Sequence, residues 1–194
     1  MLFDKNSRLG LTSQDLLRVN VVGNSGSGKS TFSNRLAQIL GSPYIEMDQL
    51  FHGPNWTQVA PDVFRDRIRD ATSGDRWVLD GNYHSKTYEI KWPRATAVVW
   101  IDTPFIRNLW QAFARAMNRA WTKKELWPGT GNRETFRQSL FSKESIILWM
   151  LTTYPKTRKL YSAIERELPY SHLRFVRLKG RQATEDFVAE VASL

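Results

Sequence analysis

The chain has 194 residues, enough for one domain with a sizeable hydrophobic core. It has no cysteine, which excludes a disulfide framework and a thiolate metal site, and its 41% hydrophobic content excludes a disordered chain. No leader segment and no apolar run long enough to span a bilayer is visible, so we expect a cytoplasmic protein without membrane contact. The formal net charge of +9 predicts an anionic partner, either a phosphorylated small molecule or nucleic acid.

A glycine-rich segment follows the first predicted strand. Residues 17–22 are short and valine-rich, as in a buried strand, and residues 23–30 read GNSGSGKS. This segment matches the phosphate-binding loop pattern G-x-x-x-x-G-K-[ST] at every fixed position, and residues 31–40 have the apolar spacing of a helix. Strand, loop and helix in this order predict that backbone N–H groups and the helix N-terminus bind nucleotide phosphates. The predicted nucleotide-binding residues are Gly23, Asn24, Ser25, Gly26, Ser27, Gly28, Lys29, Ser30 and Thr31.

Two side chains of this loop have predicted chemical roles. Lys29 is expected to reach the β- and γ-phosphates of ATP, which makes it a candidate catalytic residue. The Ser30 hydroxyl is expected to bind Mg²⁺. The predicted cofactors are therefore ATP and Mg²⁺.

The next elements place aspartates at strand ends. These elements are a strand at 43–47, a turn at 53–56, a helix at 62–71, and strands at 77–79 and 97–101. Asp48, Asp80 and Asp102 come directly after the three strands. Because the carboxyl ends of parallel strands meet at one edge of a sheet, we expect these carboxylates near the phosphate-binding loop.

The second half of the chain is mostly helical. Its predicted elements are a helix at 104–120, a glycine-rich break at 128–131, helices at 133–151 and 155–167, a strand at 173–178 and a helix at 183–191. Strands that alternate with helices predict a single α/β domain, with a parallel sheet covered by helices on both faces.

The basic excess lies in this half, because residues 101–180 hold 15 Lys and Arg against six Asp and Glu. Arg115 and Arg119 are four residues apart and share one helix face, and Arg133 follows the glycine-rich break. We expect at least one of these three arginines to act on the γ-phosphate, without distinguishing among them. The alternative is a solvated charged face.

Each aspartate has a functional and a local interpretation. Asp80 is expected to take part in phosphate chemistry because it ends a strand of the sheet; the alternative is a turn former after that strand. Asp48 is a candidate catalytic residue that would orient or deprotonate an acceptor hydroxyl; the alternative is an N-cap of a short helix at 49–51. Trp121 and Trp127 flank two lysines and are expected to pack rather than to stack on nucleic-acid bases.

Several segments resemble the adenylate-kinase-like P-loop kinases. They are GNSGSGKST, IEMDQLFHGPNW, RWVLDGNY, ELWPGTGNRE and SIILWM. As an ordered set they look closest to the DNA topology-modulation (flagellar regulator-type) proteins. The resemblance implies a three-layer P-loop NTPase fold, a five-stranded parallel sheet of order 2-3-1-4-5, and a mobile, basic helical lid at about residues 105–152.

The resemblance also bears on the aspartates. Asp80 resembles the aspartate of the D-G-[FY]-P-R motif of adenylate kinases, which helps to hold the water shell of Mg²⁺ in that family. The resemblance implies the same role for Asp80, which is preferred to Asp102 because a glycine follows it directly, as in the motif. Asn82, Tyr83 and His84 replace the end of that motif. The arginine of the motif contacts phosphate in that family, so ordinary adenylate kinase activity is not expected. Asp48 lies where shikimate- and gluconate-type kinases place an acceptor-binding aspartate.

Two functions remain open at this point. The first is a P-loop kinase that transfers the γ-phosphoryl group of Mg-ATP to a nucleotide or other small-molecule acceptor, which Asp48 and Tyr83 would hold. The second is a DNA-associated, ATP-binding regulator with little or no kinase activity, which the net charge and the resemblance suggest. No DNA-reading motif is visible in the sequence.

Overall fold

The computed structural model describes residues 10–122, 125–127, 129–132 and 146–194. Within these ranges five parallel strands form one sheet of order β2-β3-β1-β4-β5, which confirms the predicted order. The strands are β1 Arg18–Gly23, β2 Tyr44–Glu46, β3 Trp77–Asp80, β4 Ala97–Asp102 and β5 Arg174–Lys179.

Helices cover both faces of the sheet and complete the predicted three-layer α/β fold. The described helices are α1 Lys29–Leu40, α2 Met47–Phe51, α3 Pro61–Ala71, α4 His84–Lys91, α5 Phe105–Thr122, α6 Ile146–Arg166 and α7 Gly180–Val191. One core cluster joins the sheet to α1 and α7, with Leu36 and Phe187 buried in it. The other joins the sheet to α3, α4 and α6, with Phe64, Trp92 and Tyr161 buried. β1, β3 and β4 are buried between these layers.

Helix α4 was not predicted from the sequence. Its buried side chains are Thr87 and Lys91, so it has no apolar stripe that periodicity could detect. The helix lies against the core with polar groups that find partners within the fold: Thr87 donates to the Tyr83 carbonyl and Lys91 to backbone carbonyls of the loop before α4.

Helix α6 continues through a position where the sequence predicted a break. Pro155 lies inside it, whereas the prediction ended one helix at 151 and began another at 155. A proline inside a helix removes one backbone hydrogen bond and so destabilises the helix. Here the packing of the helix against the rest of the fold offsets that loss. Tyr154 and Tyr161 on either side are buried, and Tyr154 donates to the Thr103 carbonyl at 3.1 Å. Residues 133–145 of the predicted helix 133–151 lie outside the described residues.

A buried asparagine fixes the centre of the sheet near its carboxyl edge. The Asn20 side chain on β1 donates to the Leu79 carbonyl at 3.0 Å and to the Gly81 carbonyl at 3.2 Å. It accepts from the Trp92 indole at 2.9 Å. This amide therefore ties β1 to the end of β3 and to the residue that follows α4. Among the helices that the structure describes, none is both long enough and apolar enough to cross a bilayer.

Candidate active site

The glycine-rich loop between β1 and α1 lines a cavity of about 890 Å³. Gly26 and Gly28 have φ of +79° and +86°, a left-handed conformation that glycine adopts without a side-chain clash. A Cβ atom at Gly28 would meet nothing within 4 Å. The buried Ser27 hydroxyl has no hydrogen-bond partner among the described residues. The loop thus borders open space at the N-terminus of α1, where its backbone N–H groups and the helix N-terminus would bind an anion.

Lys29, which lines this cavity, forms an ion pair with the buried Asp80. Its Nζ lies 2.6 Å from Oδ1 of Asp80, which is 2% exposed. The other carboxylate oxygen of Asp80 accepts from the Tyr44 hydroxyl at 3.1 Å, and Ser30 lies close enough to lower the pKa of that hydroxyl. Burial, followed by the nearby Asp80 charge, raises the pKa of Tyr44 above its usual value. The structure therefore brings Ser30 and the Lys29–Asp80 ion pair to the same tyrosine.

This arrangement fits a magnesium ion held jointly with a nucleotide. Mg²⁺ in such sites takes one or two protein oxygens together with phosphate oxygens and water. The Ser30 hydroxyl lines the cavity beside the loop and would supply one such oxygen, and the Asp80 carboxylate, held by Lys29 and Tyr44, would accept from the water shell of the ion. Within the part of the chain that the structure describes, no cluster of three His, Cys, Asp or Glu side chains offers a metal site independent of a nucleotide.

Two of the three predicted arginines line the same cavity. Arg115 donates to the Ser25 hydroxyl of the loop at 2.5 Å, and Arg119 lies one turn further along α5. Helix α5 packs closely against the loop. A Cβ atom built at Gly26 would lie only 2.5 Å from the Asn108 carbonyl of α5. The third predicted arginine, Arg133, lies outside the described residues.

Asp48 lines the same cavity. It is inside the first turn of α2 and is not the N-cap, which is Glu46, so the N-cap interpretation of Asp48 is wrong. Its Oδ1 instead accepts from the Tyr83 hydroxyl at 2.7 Å. Burial and the Asp48 charge raise the pKa of Tyr83 above its usual value. The Tyr83 ring packs against the rings of Phe51 and Phe64, with each centroid 5.0 Å away, and these contacts restrict the direction of its hydroxyl.

Sequence reasoning missed a second carboxylate and an aromatic cluster beside Asp48. Glu46 accepts from the Trp127 indole at 3.2 Å, and its pKa is raised mainly by burial. The His52 ring stacks on Trp127 at 5.9 Å with an interplanar angle of 13°, and Trp56 meets both rings edge-on. Glu46 carried a signal, because it lies at the same strand end as Asp48. Trp127 was expected only to pack.

Asp102 is not part of this cavity. Its carboxylate accepts from Arg177 at 2.6 Å, and Arg158 lies 3.7 Å away. It lines a second cavity of about 350 Å³ together with Tyr154, Lys179 and others between the start of α5 and the end of β5. Of the two aspartates considered for Mg²⁺, Asp80 therefore contacts the phosphate-loop lysine and Asp102 does not.

Solved structures resemble this arrangement of sheet, loop and helices. A shikimate kinase from Acinetobacter baumannii in complex with shikimate is 20% identical with a TM-score of 0.54, covering 91% of this chain and 90% of that chain. A gluconokinase from Sinorhizobium meliloti 1021 is 19% identical with a TM-score of 0.52, covering 92% of this chain and 90% of that chain. A shikimate kinase from Aquifex aeolicus is 16% identical with a TM-score of 0.54, covering 90% of this chain and 93% of that chain. The chain has the P-loop kinase fold. No model of a known protein family and no curated protein matches it.

The P-loop of this fold is fastened to the loop after β3 by one side chain. The Asn82 amide accepts from the backbone N–H of Gly23 at 2.9 Å and donates to its carbonyl at 2.8 Å. Lys91 in turn donates to the Asn82 carbonyl at 2.6 Å and to the Gly81 carbonyl at 3.4 Å. Lys91 is fully buried, and this burial, with a smaller effect of the Lys29 charge, lowers its pKa to about 7. The buried lysine thus supports the backbone that carries Asn82 and Tyr83.

Replacement of Lys91 by methionine is expected to change how stability depends on pH. The pKa of Lys91 is about 7 in the folded chain against an ordinary 10.5, so between these values the unfolded chain binds more protons. Lys91 therefore makes the free energy of unfolding rise with pH in this window, by up to about 1.4 kcal/mol per pH unit, and contributes no slope below pH 7. Methionine does not titrate, so the variant should lose stability relative to wild type as the pH rises.

Urea denaturation at pH 7 and at pH 9 would measure this difference. The exposed Lys86 of the same helix provides the control variant, Lys86→Met. Equal pH slopes for wild type and Lys91→Met would contradict the expected proton uptake on unfolding.

Proposed function

We propose that this protein is a P-loop kinase that transfers the γ-phosphoryl group of Mg-ATP to a hydroxyl group of a small-molecule acceptor. The observation that carries the proposal is the continuity of the 890 Å³ cavity. Its lining includes both the phosphate-binding loop with Lys29 and the Asp48–Tyr83 pair, which would form the acceptor end of the site. A cavity of this kind can hold a phosphoryl donor and an acceptor side by side, which is the main requirement of phosphoryl transfer.

The proposed donor site uses the loop and its neighbours. The loop N–H groups and Lys29 would bind the β- and γ-phosphates, and Ser30 and Asp80 would hold Mg²⁺, which supplies charge neutralisation on those phosphates when bound. The second cavity, beside Lys179 and Gly180, would take the adenine ring, because it lies just after β5, where the fold often contacts adenine. Tyr154 lines it and offers an aromatic face.

In the proposed reaction an acceptor hydroxyl oxygen forms a bond to the γ-phosphorus while the bond from that phosphorus to the β–γ bridging oxygen breaks. ADP leaves, and the hydroxyl proton passes to the Asp48 carboxylate. Tyr83 holds this carboxylate in place through the 2.7 Å hydrogen bond. Arg115 and Arg119, with Arg133, would place guanidinium groups on the γ-phosphoryl oxygens as a helical lid at about residues 105–152 closes. The existing Arg115–Ser25 contact supports that role, because it joins α5 to the loop.

Replacement of Asp48 by asparagine tests the acceptor end. Asparagine can still accept from Tyr83 but cannot take a proton, so we expect acceptor-stimulated ADP formation to fall about 10²- to 10³-fold. The affinity for ATP, measured by calorimetry, should stay unchanged because the donor site is intact. The panel of acceptors covers nucleosides, nucleoside monophosphates, sugars, hydroxy acids and duplex DNA.

The exposed Asp70 on α3 provides a charge-matched control, Asp70→Asn. If Asp48→Asn keeps the stimulated rate, Asp48 is not at the reaction centre. Stimulation by DNA alone would favour the ATP-binding regulator over the kinase.

A further inference from the structure

The acceptor end of the cavity combines two carboxylates with flat aromatic faces. Glu46 and Asp48 both line it, together with Trp127, His52 and Trp56. From this combination we propose that the acceptor is an uncharged or amino-substituted sugar, and not an anion such as a nucleoside monophosphate or a hydroxy acid. This inference rests on the proposed kinase function and names the substrate class of the same site.

The charges at this end disfavour an anion. The negative charges of Asp48 and Asp80 act on Glu46, so these acids are close enough to interact. Among the cavity-lining residues that the structure describes, the Lys and Arg side chains are those of Lys29 on the loop and of Arg115 and Arg119 on α5, which we assign to the ATP phosphates. An anionic acceptor would thus bring its charge against carboxylates, and the like charges would repel.

The hydrogen-bonding chemistry favours a polyol. An ionised carboxylate only accepts hydrogen bonds, so Glu46 and Asp48 require donors from the ligand. Tyr83 occupies Oδ1 of Asp48 and Trp127 lies 3.2 Å from Oε2 of Glu46, and their remaining lone pairs suit hydroxyl or ammonium groups. Neighbouring hydroxyl groups of a sugar ring provide several donors within a short span.

The aromatic cluster supplies the complementary apolar contact. The stacked rings of His52 and Trp127, with Trp56 edge-on to both, form a rigid wall beside the acids. Trp127 is 8% exposed, and its indole N–H is bound to Glu46, so its orientation is fixed. A sugar ring has an apolar C–H face and hydroxyl groups around its edge. The C–H face can pack against the aromatic rings while the hydroxyl groups reach the carboxylates. An amino group would gain a cation–π contact as well.

The segment that carries Trp127 is held against the turn that carries Trp56. The Asn132 side chain accepts from the Trp56 backbone N–H at 2.7 Å and donates to the Gly53 carbonyl at 3.0 Å. The backbone N–H of Asn55 donates to the Thr130 carbonyl at 3.1 Å. The wall is thus assembled from two distant parts of the chain before an acceptor arrives, which favours selectivity by shape.

The test compares binding and turnover for sugars and anions. Glucose and glucosamine represent the proposed class, and gluconate, shikimate and AMP represent anions. Calorimetry with Mg²⁺ and a non-hydrolysable ATP analogue gives acceptor affinity, and a coupled assay with ATP gives ADP formation. We expect at least one sugar to bind roughly tenfold or more tightly than every anion and to stimulate ADP formation.

Two variants locate the selectivity. Glu46→Gln keeps an acceptor for the Trp127 indole but removes a negative charge, so the preference for sugar over anion should shrink by roughly tenfold. Trp127→Ala should weaken sugar binding by about tenfold through loss of the stacking face. Asp70→Asn, a charge change at a residue that does not line the cavity, should leave the preference unaltered.

Each outcome separates this inference from the kinase proposal. Tighter binding or faster turnover with an anion overturns the sugar class and leaves the kinase proposal standing. Sugar binding without ADP formation from any acceptor supports the ligand class and overturns the kinase proposal. Absence of sugar binding overturns the inference, as does a preference that neither Glu46→Gln nor Trp127→Ala changes.

Discussion

Replacement of Lys29 by methionine is expected to lower the rate of acceptor-stimulated ADP formation about 10³-fold. Methionine has a similar length but no charge, so the developing negative charge on the γ-phosphoryl oxygens loses its preorganised partner. The same change leaves Asp80 without its cation, and that carboxylate is 2% exposed. Removing one member of a buried ion pair costs about 3 kcal/mol of stability, so the single variant should also unfold at lower urea.

A double variant separates these two effects. In Lys29→Met with Asp80→Asn, no charge is left unpaired, and Tyr44 can still donate to the asparagine oxygen. We expect this protein to regain most of the lost stability and to remain inactive. Activity that returns with stability would show that Lys29 acts through the fold and not on the phosphate.

Replacement of Gly26 by alanine is expected to destabilise the ligand-free protein more than replacement of Gly28. The two glycines have nearly the same positive φ, so alanine carries a similar backbone cost of about 1 kcal/mol at each. A Cβ atom at Gly26, however, would lie 2.5 Å from the Asn108 carbonyl and 2.9 Å from the backbone nitrogen of Ala112. At Gly28 it would meet nothing within 4 Å.

Thermal denaturation without nucleotide measures the difference directly. Because the contact at Gly26 is with the backbone of α5, it can be relieved only by moving the loop or the helix, and we expect a further loss of about 2 kcal/mol. For a chain of this size that corresponds to a midpoint roughly 5 °C lower than for Gly28→Ala. Equal midpoints would mean that α5 moves away from the loop at little cost.

Most of the fold could be predicted because its strands carry strong local signals. β1 and β4 are buried on both faces and read as short apolar runs, and the phosphate-binding motif requires a loop and a helix directly after β1. Asp48 and Asp80 were found because strand ends in a parallel sheet converge. Helix α4 was missed because the side chains that it buries, Thr87 and Lys91, are polar.

Several residues at the acceptor end of the site could not be predicted from the sequence, because local patterns do not encode the contacts between them. Trp127 and Glu46 are 81 residues apart, and their hydrogen bond depends on the path of the chain after α5. His52 has no metal-ligand spacing in the sequence, and only the stack on Trp127 shows that its ring forms part of a wall. A pattern within one segment carries no information on such pairs, because each partner alone is compatible with a bland surface or packing role.

The paired hydrogen bonds between the Asn82 amide and Gly23 have a consequence for movement. The Asn82 side chain bonds both the N–H and the C=O of Gly23. These two hydrogen bonds extend the β1–β3 pairing beyond its last backbone pair, Val21 and Asp80. We therefore expect the backbone of Gly23 and that of residues 80–83 to move together as one unit. Under the proposed function, a change in the distance between the two substrates would then require movement of α2 or α5, which carry Asp48 and Arg115, and not of this part of the sheet.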